Sequence, residues 1–310
     1  MKDLEKHFEL ETGEYIKLLG ITSVERTQLF CSNNRYIDLL ELINNIEFIV
    51  TSLLGGKLVK IVLPYEKQEK EEKVQVHIID NIIFLVYGVF PDHKGTWILE
   101  QMVNYFSKLV NDKDIVNLDE TDKAKISTEF KKLTEFIIQQ YKQLGERKTD
   151  HKISSTEDII RIIYLGLSSM AIGVISLLLE AEHLKIGSLN GYDLENDENM
   201  FESMITSKIE AIAVNIQATT HTIPRLISVK LGPQKYRYLT FKKYKNNYLL
   251  YTISEGNINK ITEVESLLDL YLIPIVNKTF TGNLKSFEKV KTTLKNDLEM
   301  INLKLKRLYK

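Results

Sequence analysis

The chain has 310 residues, 41 of them basic and 42 acidic, for a formal net charge of -1. So even a balance supplies no bulk field for nucleic acid or for an acidic surface. A hydrophobic fraction of 44% with only five prolines describes a globular chain long enough for about two domains and excludes long disordered linkers. Cys31 is the single cysteine, which rules out an intrachain disulfide framework and fits a reducing cytoplasm. Lys2, Asp3 and Glu5 follow Met1 without an apolar run, so no secretory signal is expected.

Residues 1–13 are charged and read as a short helix or a loose arm. Tyr15 to Ser32 reads as two short strands around Ser23-Val24-Glu25. From Arg35 to Leu54 the apolar residues Leu39, Leu40, Ile43, Ile46, Val50 and Leu53 form a helical stripe. Gly55-Gly56 closes that helix. Lys57 to Pro64 is a strand, and Tyr65 to Lys73 a charged loop. Val74, Val76 and Ile78 alternate with Gln75 and His77, which predicts a half-buried strand. Asp80-Asn81 supplies hairpin turn chemistry, and Ile82 to Val89 is apolar enough for a strand covered on both faces. Phe90 to Gly95 reads as a loop, with Thr96 as N-cap. Trp97, Met102, Tyr105, Phe106 and Leu109 then mark a helix. After a polar connection at 112–123, Ile126, Phe130, Leu133, Ile137, Tyr141 and Leu144 mark another. The polar stretch 145–155 is the expected boundary between domains at 1–147 and 156–310.

Ile162 to Leu179 is uncharged throughout and just reaches the length of a membrane span. The competing reading is a buried strand hairpin with its bend near Ser168-Ser169 or Gly173. A helix over 198–219 and a strand over 224–231 follow. Tyr236 to Phe241 and Tyr248 to Ser254 form a strand pair around Asn246-Asn247. Thr262-Glu263-Val264-Glu265 has the capping-box pattern and opens a helix. A last helix runs from Lys285 to Tyr309. Its Leu294, Leu298, Ile301, Leu305 and Leu308 suit either a coiled-coil seam or packing on the domain's own sheet. Each half therefore reads β-β-α-β-β-β-α-α, and LGLSS at 165–169 echoes LGITS at 19–23. That repeat favours the hairpin, because its counterpart 15–32 contains Lys17, Glu25 and Arg26, which a membrane core would reject.

Catalytic signatures are missing from the sequence. Gly55-Gly56-Lys57 lacks the first glycine of a P-loop, and no G-x-G-x-x-G occurs. The six histidines show no metal-ligand spacing. Cys31 reads as a nucleophile or, more simply, as a small buried apolar residue. Asp92-His93 reads as an acid–base couple or a polar turn that contacts a partner. Trp97 is an interface anchor or a core residue. Lys230 to Lys245 interleaves Lys235, Arg237, Lys242, Lys243 and Lys245 with Tyr236, Tyr238, Phe241 and Tyr244. Such a strip suits single-stranded nucleic acid or an anionic membrane. Its bland reading is a solvated hairpin face offset by the acidic run Asp193 to Glu202.

The element order and the run FLVYGVFPDHKGTWILEQMVNYF at 84–106 resemble a tandem of longin domains, covering about 15–145 and 158–310 as pattern. The roadblock module is the nearest alternative, but two helices follow the last strand in each half. The resemblance implies an α+β fold of two longin-like domains. Each would be a five-stranded antiparallel sheet with one helix on one face and two on the other. It further implies a non-enzymatic, cytoplasmic protein, peripheral at a membrane, that recruits or regulates a small GTPase in trafficking-like machinery. Exchange activity would displace the GTPase's switch segments and magnesium, with no cofactor or metal held by this chain. Expected partners are a small GTPase or another longin or roadblock subunit, in a homo- or heterodimer. The expected contact elements are the sheet edges 57–63 and 226–231, the first helix of each domain, and Lys60, Asp92, His93, Trp97 and Lys230. The alternative function is the basic strip binding nucleic acid or anionic membrane.

Overall fold

The computed structural model of the chain describes residues 8–9, 13–64, 71–110, 119–143, 160–169, 173–179, 198–278 and 285–307. The expected boundary at 145–155, most of the charged arm and loop 65–70 lie outside the described residues, as does 193–197 of the acidic run. The protein is α+β and divides into two compact units. Unit 1 comprises Met1–Phe48, Leu58–Lys152 and Asn215–Thr222; unit 2 comprises Ile49–Lys57, Ile153–Val214 and Ile223–Lys310. A boundary placed in chain order does not anticipate the two short segments, 49–57 and 215–222.

In unit 1 the order is β1 (Phe8–Glu9), β2 (Tyr15–Ser23), β3 (Gln28–Cys31), α1 (Ile37–Leu54, of which the part after Phe48 belongs to unit 2), β4 (Lys57–Leu63, in unit 1 from Leu58), β5 (Glu72–Ile79), β6 (Ile82–Val89), α2 (Asp92–Val110) and α3 (Glu120–Gln143). Antiparallel pairing gives the strand order β3-β2-β6-β5-β4, with β1 also on β2. Asp80 and Asn81 both have positive φ, 45° and 64°, and Ile79 faces Ile82. This is the two-residue turn their side chains favour. Ile16, Leu19, Ile21, Phe84 and Val86 pack with Met102 and Phe106 of α2 and Phe130 and Ile137 of α3. On α1, Leu40 lies over Gly20, where any Cβ would strike its side chain.

In unit 2, β7 (Ile160–Ser169) and β8 (Gly173–Leu179) precede α4 (Glu198–Thr220), whose last residues, from Asn215, belong to unit 1. Then come β9 (Leu226–Gly232), β10 (Lys235–Lys243), β11 (Tyr248–Gly256), α5 (Ile261–Val276) and α6 (Lys285–Arg307). The antiparallel order is β8-β7-β11-β10-β9. Residues 162–169 and 173–179 are thus antiparallel paired strands and not a spanning helix: Ser169 faces Gly173. No described helix is long and apolar enough to cross a membrane. Ile162, Leu165, Leu167 and Leu250 pack with Leu268 and Leu272 of α5 and with Phe287 and Leu294 of α6. Those two α6 contacts place its described apolar face on its own unit's core. Tyr164 meets α4 through a hydroxyl contact to Thr206 at 3.1 Å.

The strands β2 and β7 carry a bulge at the same place. Ile16 faces Gly88 and Leu18 faces Tyr87, leaving Lys17 as the extra residue. Ile162 faces Ser254 and Tyr164 faces Ile253, leaving Ile163 as the extra residue. An extra residue shifts the two-residue alternation by one. This is how Ile16 shares a face with Leu19 and Ile21, and Ile162 with Leu165 and Leu167. The residue opposite each bulge is small. At Gly88 the Tyr15 carbonyl stands where a Cβ would lie, and its counterpart Ser254 is fully buried.

Two expected caps differ. The α2 helix begins at Asp92, so Thr96 is inside it, its hydroxyl donating to the Asp92 carbonyl at 3.0 Å. The helix can start this early because Pro91 accepts from the Lys94 and Gly95 amides and Gly95 has no side chain to strike Gln75 and Phe90. Likewise α5 starts at Ile261, ahead of Thr262, and its N-cap residue Lys260 makes no side-chain cap bond. The local cap is Asn257, which accepts from the Asn259 amide in the short 3-10 turn at 258–260. We expect Thr96→Ala to change stability by less than about 0.5 kcal/mol. Gly95→Ala should cost about 1–3 kcal/mol through overpacking. Urea denaturation of the two variants measures both.

Candidate functional site

Three polar clusters stand out, and Lys60, Asp92, Lys235, Arg237 and Lys242 of the residues singled out in the sequence fall into two of them. The first sits where α2 starts. The Asp92 carboxylate accepts from Lys60 Nζ of β4 at 2.6 Å and from Lys73 Nζ of β5 at 2.5 Å. Gln75 Nε2 donates to the Asp92 carbonyl at 3.2 Å, and the Lys73 ammonium lies 5.8 Å from the centre of the Phe90 ring. Burial pushes the Asp92 carboxyl up, but the two ammonium groups outweigh it and hold it below its usual value. The carboxylate is thus held by two lysines, which anchors the first turn of α2 to two strands and places an acid at the positive helix end. His93 beside it is exposed. Trp97 is half-buried, its ring 6.4 Å from that of Tyr141 on α3, so it packs with the core. Lys60 therefore belongs with Asp92, whereas Lys230 is exposed on β9 opposite Tyr236.

A second cluster was not anticipated. Glu72, read from sequence as part of a charged loop, is the first residue of β5 and is 6% exposed. Its carboxylate accepts from Tyr15 Oη at 2.8 Å, from Lys17 Nζ at 2.7 Å and from Tyr87 Oη. Lys17 is the bulge residue, and its ammonium lies 5.6 Å and 5.5 Å from the Tyr15 and Tyr87 ring centres. Burial and the Glu72 charge push the Tyr87 phenol far above its usual range, so it stays a donor. No local spacing announces this group: Tyr15 and Glu72 are 57 positions apart, and only the strand register joins them.

The third cluster divides the basic strip. Arg237 is 7% exposed. It donates to Glu255 at 2.9 and 2.5 Å and to the carbonyl of Leu54, in the segment 49–57 of the same unit, at 2.6 Å. Lys235 lies 3.8 Å from Glu255. Lys242 pairs with Asp269 of α5 at 2.8 Å, and Tyr244 donates to the same carboxylate. The acids that offset this strip are therefore Glu255 and Asp269. The described end of the expected acidic run, Glu202, instead pairs with Lys291. Lys243 and Lys245 are exposed. Cys31 is half-buried, its thiol pushed up by burial and donating to the Asn33 carbonyl at 3.3 Å, an inert setting for a thiol. Among the described residues no three His, Cys, Asp or Glu side chains converge to hold a metal ion.

No family model matches this chain, and no curated protein matches it. A solved structure described as an RNA-binding light-oxygen-voltage receptor is 8% identical, over 82% of this chain and 99% of its own. Its TM-score of 0.14 is too low to bear on fold or function.

The lowered Asp92 value fixes a sign. Its contribution to stability is present above the ordinary carboxylate value of 3.8 and is lost as pH falls through the lower folded-state value. Asp92→Asn is expected to lower the urea midpoint at neutral pH. The gap to the parent protein should close as pH drops below that ordinary value.

Proposed function

We propose that the chain is a pair of longin-like modules that recruits or regulates a small GTPase as a non-enzymatic, cytoplasmic binding protein. The observation that supports this most is the strand order within each unit. β2 sits inside the order between β3 and β6, as β7 does between β8 and β11, and the strand after the first helix, β4 or β9, lies at the far end of its unit's own order. Two helices then follow the last strand. Longin modules share this order, with one helix on one face of the sheet and two on the other. A GTPase needs an exposed surface with an apolar anchor, and the first helix of each unit offers one. Phe48 on α1 is 75% exposed and Val214 on α4 is 61% exposed. Large apolar side chains held in solvent on rigid helices suit an interface hot spot. The basic strip draws less support, since Arg237, Lys235 and Lys242 are already paired with Glu255 and Asp269.

Affinity capture from native extract should enrich a small GTPase, and Phe48→Glu or Val214→Glu should abolish the capture without lowering the melting temperature. With the recovered GTPase, release of a fluorescent guanine nucleotide should accelerate about tenfold or more, a barrier change of about 1.4 kcal/mol. Capture without faster release would leave a scaffold and remove the exchange reading. Failure to capture any GTPase, with steeply salt-dependent binding to RNA or anionic vesicles instead, would overturn the proposal in favour of the strip.

A further inference from the structure

Strand β8 is the outermost strand of unit 2's own order, and among the described residues it pairs with β7 on one side only. Its residues, Gly173–Leu179, read GVISLLL and include no charge and no proline. Such an edge leaves a row of backbone amides and carbonyls as a template for another strand. Folded proteins blunt these edges by keeping them short, by charging them or by covering them. The strand at the same place in unit 1, β3, is kept to four residues, Gln28–Cys31. β8 has seven residues and no charge, which leaves covering as its protection.

The cover is an ion pair that joins the two faces of the sheet. Tyr164 points to α4, where its hydroxyl meets that of Thr206. Its neighbour Leu165 points to α5 and α6. Successive strand residues take opposite faces, so α4 and α6 lie on opposite sides of the sheet. Yet Lys291 Nζ of α6 donates to both carboxylate oxygens of Glu202 on α4, each at 3.2 Å. A bridge between those helices has to go round the sheet. The α6 helix lies over β8 and β7, so the way round is the outer edge of β8. A further strand would lie about 4.8 Å beyond β8, in the space that the bridge crosses. The Glu202 side chain is 16% exposed and that of Lys291 42%, so the lysine is the arm with room to swing into water.

We infer that the Lys291–Glu202 bridge is a latch over the edge of β8, and that the open latch lets β8 pair with β8 of a second copy of this chain. An edge without charge offers a partner nothing to be selected by except the strand itself. The identical strand fits it throughout. Antiparallel pairing about Ser176, the midpoint of Gly173–Leu179, sets every residue of one strand against a residue of the other. Such a contact is isologous, so it closes at two copies. Each latch crosses the space that the other copy's strand takes, so both open for one pairing. The pairing is independent of any GTPase.

Sedimentation of the full chain and of three variants tests this. Glu202→Gln and Lys291→Gln each remove half of the bridge, and Glu202→Lys combined with Lys291→Glu restores it with the charges reversed. At micromolar concentration the parent and the reversed pair should be monomers, and the two single variants dimers. Hydrogen exchange of the β8 amides should slow by about tenfold or more in those dimers. Lys291 is partly exposed, so Lys291→Gln should keep the parent's melting temperature and decides the test if Glu202→Gln does not fold. The proposal fails if Lys291→Gln stays monomeric or if the reversed pair dimerises as the single variants do. It also fails if the parent is itself a dimer through β8, or if the dimers leave β8 exchange unchanged.

Discussion

The interaction on which both units depend is the pairing of their first long strand with their last. In unit 1 β2 lies against β6, and in unit 2 β7 lies against β11. Each pairing joins segments far apart in the chain, so its loop-closure entropy must be offset by what it organises. It organises a great deal. Both first strands are nearly fully buried, and every other strand of the unit takes its place by reference to them. The bulge within that pairing decides which side chains face which helices. Before it, Ile16 and Ile162 point to the face of the two C-terminal helices; after it, Leu19 and Leu165 do.

The bulge also explains why two units of the same order differ in chemistry. The extra residue stands outside the ladder register, so its side chain can serve the site it faces. In unit 1 that residue is Lys17, and it completes a buried ion pair with Glu72. In unit 2 it is Ile163, fully buried. The position that matches Glu72, one residue before the strand residue facing Gly88 or Ser254, is Arg237 in unit 2. Arg237 finds Glu255 instead. Each unit thus holds one buried charge at the same point of its sheet, of opposite sign, with its own partner. Removing either partner leaves an uncompensated buried charge, which typically costs about 3–5 kcal/mol.

Much of this order was legible because strands and helices here obey their periods. Val74, Val76 and Ile78 alternate, Asp80-Asn81 turns the chain, and the α1 stripe is uninterrupted. The echo of LGITS in LGLSS was informative because Gly20 and Gly166 both stand where a neighbouring side chain fills the missing Cβ: Leu40 in one case, Tyr164 in the other. What stayed hidden was non-local. Thr96 and Thr262 have the right chemistry for caps, yet the helices begin earlier because Pro91 and Asn257 act upstream. Glu72 read as loop because charged residues before a strand normally are; only Tyr15, Lys17 and Tyr87, brought by the sheet, make it a core residue. Arg237 and Lys242 read as a solvent-facing strip because alternation shows which side of a sheet a residue takes, and says nothing of the acids waiting there.

Both units are built around a bulged strand, β2 or β7, held between its neighbours, and interstrand backbone NOEs in deuterated protein test this most directly. The NOEs should pair Ile16 with Gly88 and Leu18 with Tyr87 across Lys17, and Ile162 with Ser254 and Tyr164 with Ile253 across Ile163. Continuous registers that pair Lys17 and Ile163 like their neighbours, or helical NOEs through 162–179, would contradict it.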